Sequence, residues 1–448
     1  MQFHDWDVKK KAKRNPVLNT HRLVLVTGFI FLVLSVSARA DTWYELESTN
    51  FVVYTTAKEK VARDLLNELE GFRYLVLNFI TFDIPPDVDK VKVILFKDLG
   101  DFKQYCWDSR VRGYVIPTDT SAIIVQSAQN SVLDSTYVIY HEYVHTLLQH
   151  YTGKLPGWYN EGLAELFGAT RFKNGKYDVG IAPMDRLREF SRGGAFLSFD
   201  DIVADRFKTH RSGPYSDPYV QYWMLAYYFE FGNRERKKEL GSYLLLYNDG
   251  MDSLQAFQMA FNQTPQEFWH KELKRFYSRR KLKALRIGIS QEQLNFQISR
   301  KEADKSEVKG TLFLLKINAA SQAFQMKDYR NGRRLFQELI DETDPNNKNY
   351  LALINGYVWA LATSTDNKLR DGKEAVRLGE LYIKNKTDKP EFLDTLAAAY
   401  AEAGRFDDAI QLQSALLAGL EDADKKHADF ARRLESYKNH QPWREGDE

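Results

Sequence analysis

A single cysteine, Cys106, stands among 448 residues, which excludes an internal disulfide and any cysteine-built metal site. Cysteine usage therefore says nothing of the compartment. Net charge is equally scarce, +2 over the whole chain. That value hides a split: residues 1–40 carry Lys9, Lys10, Lys11, Lys13, Arg14, Arg22 and Arg39 against only Asp5 and Asp7, so the remainder is mildly acidic. An acidic body gives no electrostatic footprint for nucleic acid. Low-complexity tracts are missing too. With 44% hydrophobic and 14% aromatic residues the chain has ample material for cores, and its length calls for two or three of them.

Long apolar runs are also lacking, with one exception. Leu23–Val36 is largely apolar for fourteen residues, fewer than the roughly 20 that cross a bilayer. The basic stretch Lys9–Arg14 precedes it and Ala38-Arg39-Ala40 follows, the small-x-small pattern of a signal peptidase site. This predicts a signal peptide over residues 1–40 and an exported, periplasmic protein beginning at Asp41. The alternative is an inner-membrane anchor over residues 23–36, and membrane contact is expected only in that case.

The patterning predicts an α+β fold followed by an all-α region. Phe51–Thr56, Val91–Phe96 and Ala122–Gln126 read as strands from their β-branched and aromatic content. Val61, Leu65, Leu66, Leu69, Phe72 and Leu75 recur at helical spacing within a helix from about Lys58 to Ile80. Asn174-Gly175 between Thr170–Phe172 and Lys176–Val179 is a type I′ hairpin signal. Thr264-Pro265-Gln266-Glu267 has the form of a capping box with proline at the first helical position. The domain division expected is 41–285, then a polar linker over 286–310, then helical repeats over 311–440. Within the last part Lys373–Val376 aligns with Asp407–Ile410 at a spacing of 34, the tetratricopeptide period. Phe392–Phe406 resembles the first helix and turn of such a repeat, and Asp328–Leu339 an earlier second helix. A protein partner bound through these helices is the corresponding expectation, and a helical stack that merely packs on the first domain is the alternative.

The chemistry concentrates in His141-Glu142-Tyr143-Val144-His145. On a helix, positions i and i+4 share a face, so both imidazoles can reach one metal ion. Glu142 lies one residue on, where its carboxylate can act as a base without being a ligand. Ile139, Tyr143, Leu147 and Leu148, with Val138, supply the apolar setting of this helix, placed at Tyr137–Gln149. After breakers at Gly153, Pro156 and Gly157 comes a second short helix, Trp158–Gly168, carrying Asn160-Glu161-Gly162-Leu163-Ala164-Glu165. Hydrolytic zinc commonly takes three protein ligands and keeps one position open, so His141, His145 and Glu161 form the expected set. Glu165, one turn further along the same face, is placed to accept from a ligand imidazole. His150 is read as exposed and not a ligand.

These residues resemble the gluzincin peptidases, in particular the peptidase MA-like group of bacterial exported proteins, over approximately Phe51–Tyr277. The resemblance implies a zincin-like catalytic domain, one Zn2+ per chain, zinc-dependent peptide hydrolysis with Glu142 as general base, and a peptide or protein substrate. It also implies that Gly113-Tyr114 leading into Ala122–Gln126 borders a cleft, an ordinary sheet strand being the alternative. Tyr219 in Tyr219-Val-Gln-Tyr222-Trp223 is the implied oxyanion-stabilising hydroxyl, with a structural tyrosine as its alternative. The fifteen residues between His145 and Glu161 are fewer than gluzincin aminopeptidases have, and their Gly-x-Met-Glu-Asn segment is missing, so aminopeptidase activity is not implied. Two other functions stay open: a periplasmic scaffold with a structural or vestigial zinc site, and hydrolysis of a non-peptide amide.

Overall fold

The computed structural model describes residues 42–445, apart from 81–87, 130–133, 152, 184–196, 205, 207–217, 233, 280–281, 344–349, 385–386, 388 and 420–424. The expected signal segment, 1–40, lies outside the described residues. No described helix is long and apolar enough to cross a membrane.

The fold is mixed α and β. Its main sheet is built from β1 (Tyr44–Glu47), β2 (Phe51–Thr55), β3 (Val91–Phe96), β4 (Gly113–Pro117), β5 (Ala122–Ser127) and β9 (Ser299–Glu302), in the order β4-β5-β3-β2-β1-β9. β2, β3 and β5 run parallel, and β1, β4 and β9 pair antiparallel to their neighbours. A second sheet joins β6 (Arg171–Lys173), β7 (Lys176–Val179) and β8 (Leu285–Gly288). The β6–β7 turn has Asn174 at φ 53° and Gly175 at φ 72°, both in the left-handed region a type I′ turn needs.

The helices are α1 (Glu59–Phe79), α2 (Leu99–Lys103), α3 (Asp134–Leu148), α4 (Gly157–Gly168), α5 (Phe199–Val203), α6 (Tyr219–Tyr227), α7 (Arg234–Asn248), α8 (Ser253–Phe261), α9 (Pro265–Phe268), α10 (Lys274–Arg279) and α11 (Gln291–Leu294). A π-helical turn follows α6 at Tyr228–Gly232 and another separates α9 from α10 at Trp269–Leu273. The capping box on Thr264 is formed in both directions. A helical array completes the chain: α12 (Lys305–Gln325), α13 (Tyr329–Glu342), α14 (Tyr350–Thr363), α15 (Gly372–Tyr382), α16 (Pro390–Glu402), α17 (Phe406–Ala418) and α18 (Lys425–Lys438).

Because side chains alternate along a strand, the main sheet feeds two cores. Val53, Val93, Leu95 and Ile124 face α1, α3 and α4, together with Leu66, Phe72, Tyr143 and Leu163. Tyr54, Ile94, Phe96, Ile123 and Val125 face the other way, onto Phe102 of α2 and onto Val308 and Leu315 of α12. The array has its own core, in which Leu339, Tyr357, Leu378 and Leu396 meet. Ala375 and Ala409, the residues that align at a spacing of 34, are both fully buried there.

Three expectations need correction. Residues 286–310 are not a free linker: β8 completes the small sheet, β9 pairs with β1, and α12 begins at Lys305. The polarity that reads as linker belongs to an edge strand. Its charges are used locally, Arg300 lying 3.9 Å from the centre of the Tyr44 ring and Lys301 2.9 Å from Glu45. Charged edges of this kind discourage pairing with another chain. Val61 and Val138 fit the apolar periodicity, yet both are exposed, since each lies beside the buried stripe of its helix and not within it. His150 is half-buried, not exposed, and burial lowers its pKa.

Candidate metal centre

The site is assembled where α3 and α4 pack together, with α6 on the far side of α4. Two glycines allow this close approach. A Cβ on Gly168 would lie 3.1 Å from Cβ of His141, and one on Gly162 would lie 2.7 Å from the backbone oxygen of Tyr222. Gly162 therefore faces α6 and Gly168 faces α3, and α4 is held between its neighbours at near-backbone contact. Pro156 sits just ahead of α4, and Gly157 begins it.

α3 is itself anchored on α1. The rings of Phe72 and Tyr140 stack at 3.8 Å, and the Tyr140 hydroxyl donates to Oε1 of Glu68 at 2.6 Å. Burial pushes the Glu68 carboxyl up in pKa, against the lowering effect of that hydrogen bond. Tyr177 of β7 also donates to the backbone oxygen of Glu68, at 2.7 Å. Gly71 leaves the room for this, because a Cβ there would run into the Tyr177 hydroxyl.

On this frame His141, His145 and Glu161 converge as a group able to hold a metal ion. Nε2 of His141 and Nε2 of His145 are 3.2 Å apart, and Oε2 of Glu161 is 3.6 Å from the first and 3.5 Å from the second. Donors about 2.0–2.2 Å from one tetrahedral ion lie roughly 3.3–3.6 Å apart, so the three atoms are spaced to share a small metal ion.

The other nitrogen of each ring is also engaged. Nδ1 of His145 is hydrogen-bonded to Oδ1 of Asn160 at 3.1 Å, whereas Nδ1 of His141 lies 3.4 Å from Oε1 of Glu165, an ion-pair distance short of hydrogen-bond geometry. With Nδ1 protonated toward those oxygens, both Nε2 atoms present lone pairs to the same point. Glu165 is fully buried, and its Oε2 accepts from the Tyr137 hydroxyl at 2.5 Å. Burial works against charge on His145, but Glu161, Asn160 and Glu142 outweigh it and raise its pKa.

Glu142 lies outside the donor triangle and is half-buried. Burial raises its carboxyl pKa, His145 opposing and Glu161 adding to the effect. Tyr219 opens α6, half-buried, with its ring edge-on to Tyr222 at 5.6 Å; it is not part of the donor group. β4 is one of the two edge strands of the main sheet and packs beside α3.

The structure thus brings His141, His145, Glu161 and Glu165 together as the spacing predicts. Sequence reading missed Asn160 and Tyr137. Asn160 adjoins Glu161, and Tyr137 lies one turn before His141 on the same helical face, so position alone could have nominated both. A comparison of the chain with protein-family models and with curated proteins finds no match.

Proposed function

We propose that this protein is a zinc-dependent hydrolase of peptide bonds, of the gluzincin kind, with a zincin-like catalytic region and tetratricopeptide-like helices after it. The observation that carries this reading is the donor triangle of His141, His145 and Glu161 with a fourth residue, the acid Glu142, set next to it but outside it. Those three residues would hold a zinc ion, which would supply a Lewis acid and bring the pKa of water there toward about 7. Asn160 and Glu165 orient the two imidazoles. Glu142 takes the proton of the attacking water and passes it to the leaving amine. β4 ends the main sheet beside α3, an edge to which an extended peptide can add as a further strand. Tyr219, opening the helix that packs on α4, is the candidate hydroxyl for the developing oxyanion. An exported location belongs to the same proposal.

A scaffold with a purely structural metal has no use for Glu142. The deciding experiment is metal analysis and peptide-library cleavage with wild type and Glu142→Gln. Glu142→Gln is expected to keep its zinc and lose roughly 100- to 10,000-fold in rate. His141→Ala, His145→Ala and Glu161→Ala are expected to lose both. Zinc bound by wild type without cleavage of any peptide would favour the scaffold, and full activity in Glu142→Gln would refute the assigned mechanism.

A further inference from the structure

We propose that Tyr137 is a positioning residue for the metal centre, acting on His141 through Glu165. The inference rests on the reading of His141, His145 and Glu161 as metal ligands. Three contacts close a ring around the first imidazole. The Tyr137 hydroxyl donates to Oε2 of Glu165 at 2.5 Å, Oε1 of Glu165 lies 3.4 Å from Nδ1 of His141, and the rings of Tyr137 and His141 lie 5.9 Å apart, tilted by 33°.

The two histidines are therefore held differently. His145 meets the short amide of Asn160, next to Glu161 on α4, which has little freedom to swing. His141 meets the longer side chain of Glu165, which has no exposed surface and must find its orientation inside the protein. A buried carboxylate left without donors is unfavourable, and its two oxygens move as one rigid plane. Fixing Oε2 with the Tyr137 hydroxyl consequently aims Oε1, and Oε1 sets the rotation of the His141 ring. Gly168 makes the arrangement possible by letting α4 approach His141 at van der Waals distance. The same bond ties α3 to α4 beside the ligands, Tyr137 being one turn before His141 and Glu165 one turn beyond Glu161. Phenylalanine at 137 keeps the ring packed against His141 and removes only the donor.

The test uses the full chain and zinc ion alone, its Kd read by competition with a chelating dye. Tyr137→Phe is expected to weaken zinc binding about tenfold, the low end for loss of a residue that orients a ligand. In a Glu165→Ala background the same substitution should change the Kd by less than about twofold, because the route is already cut. A second readout is the visible spectrum of the cobalt-loaded protein: Tyr137→Phe should shift its bands, which a purely packing role would leave in place. Unchanged zinc affinity and an unchanged cobalt spectrum would overturn the proposal, as would an equal loss with and without Glu165. If wild type itself takes up no zinc, the metal reading falls and this inference with it. Zinc binding by wild type that Tyr137→Phe leaves intact sinks the inference alone.

Discussion

Around α1, α3 and α4 three acids lean on neutral donors, Glu68 on the Tyr140 hydroxyl, Glu165 on the Tyr137 hydroxyl and Glu70 on the backbone and side-chain amides of Asn50. In the helical array two acids lean on guanidinium groups: Asp394 takes Arg433 at 2.7 Å, and Glu402 takes Arg370 at 3.0 Å and Arg444 at 2.7 Å. The two solutions satisfy the same lone pairs with different electrostatic results. An arginine cancels the charge it binds, so the acid behind it becomes part of the packing. A phenol supplies a hydrogen bond and no charge, so an acid it holds, when ionised, keeps its charge uncancelled toward its surroundings. The distinction falls between a region where Glu165 faces the His141 imidazole at 3.4 Å and one where Asp394 and Glu402 tie helices together.

The contrast is most easily broken at Arg433. Its guanidinium also lies over Trp359, Phe430 and Trp443, and Gln413 supplies the second donor to Asp394. Arg433→Ala leaves a buried carboxylate without its charge partner and should cost about 3–5 kcal/mol in urea unfolding of the array. Zinc affinity should not move, since Arg433 belongs to the array core and not to the site.

Close helix approach is the second point of difference. Gly162→Ala drives a Cβ into the backbone of α6, and backbone cannot rotate away. A loss of about 1–3 kcal/mol is expected, with weaker zinc binding because neighbouring Glu161 shifts with α4. Retention of wild-type zinc affinity in this variant would show that the ligand triangle tolerates movement of α4.

Glu68 sharpens the comparison through pH. Its folded-state pKa is raised by burial despite Tyr140, so the folded chain holds that proton more tightly than the unfolded chain does. Wild type therefore loses stability as pH rises from the ordinary carboxylate range through the raised folded-state value. Glu68→Gln, which keeps an acceptor for Tyr140, should remove that part of the slope. Thermal melting of the two proteins as a function of pH checks it: the Gln variant should gain above the acid range and match wild type below it.

The smallest effect is a gain. Gly356, in the middle of α14, has open space where a Cβ would go. Gly356→Ala should stabilise by up to about 1 kcal/mol through backbone entropy, the opposite sign from Gly162→Ala.

Much of this was legible in the sequence because it rests on local rules. β2, β3 and β5 are regular in composition, α1 is periodic, and Asn174-Gly175 and Thr264–Glu267 carry their turn and cap chemistry within a few residues. The convergence of His141, His145 and Glu161 was legible for the same reason, since i, i+4 geometry and a second helix with Glu161 are short-range facts. What escaped is long-range. β1 and β9 are only four residues each, β9 is polar on an edge, and the two pair across more than two hundred positions, so neither leaves a periodic trace. Tyr137 looks like any half-buried helical tyrosine until Glu165 is folded against it. Val138 satisfied hydrophobicity without satisfying the stripe.

The covering of the sheet's second face by α12 has a consequence in time. Phe96 leaves the ribosome 209 residues before Lys305, the first residue of that helix. At roughly 5–20 residues per second, that apolar surface waits on the order of 10–40 s before its own cover is synthesised. Over that interval Tyr54, Ile94, Phe96 and Val125 are the surface a nascent-chain chaperone would grip. A synonymous change that slowed translation between Gly113 and Lys305 would lengthen the wait without altering a single residue of the finished molecule.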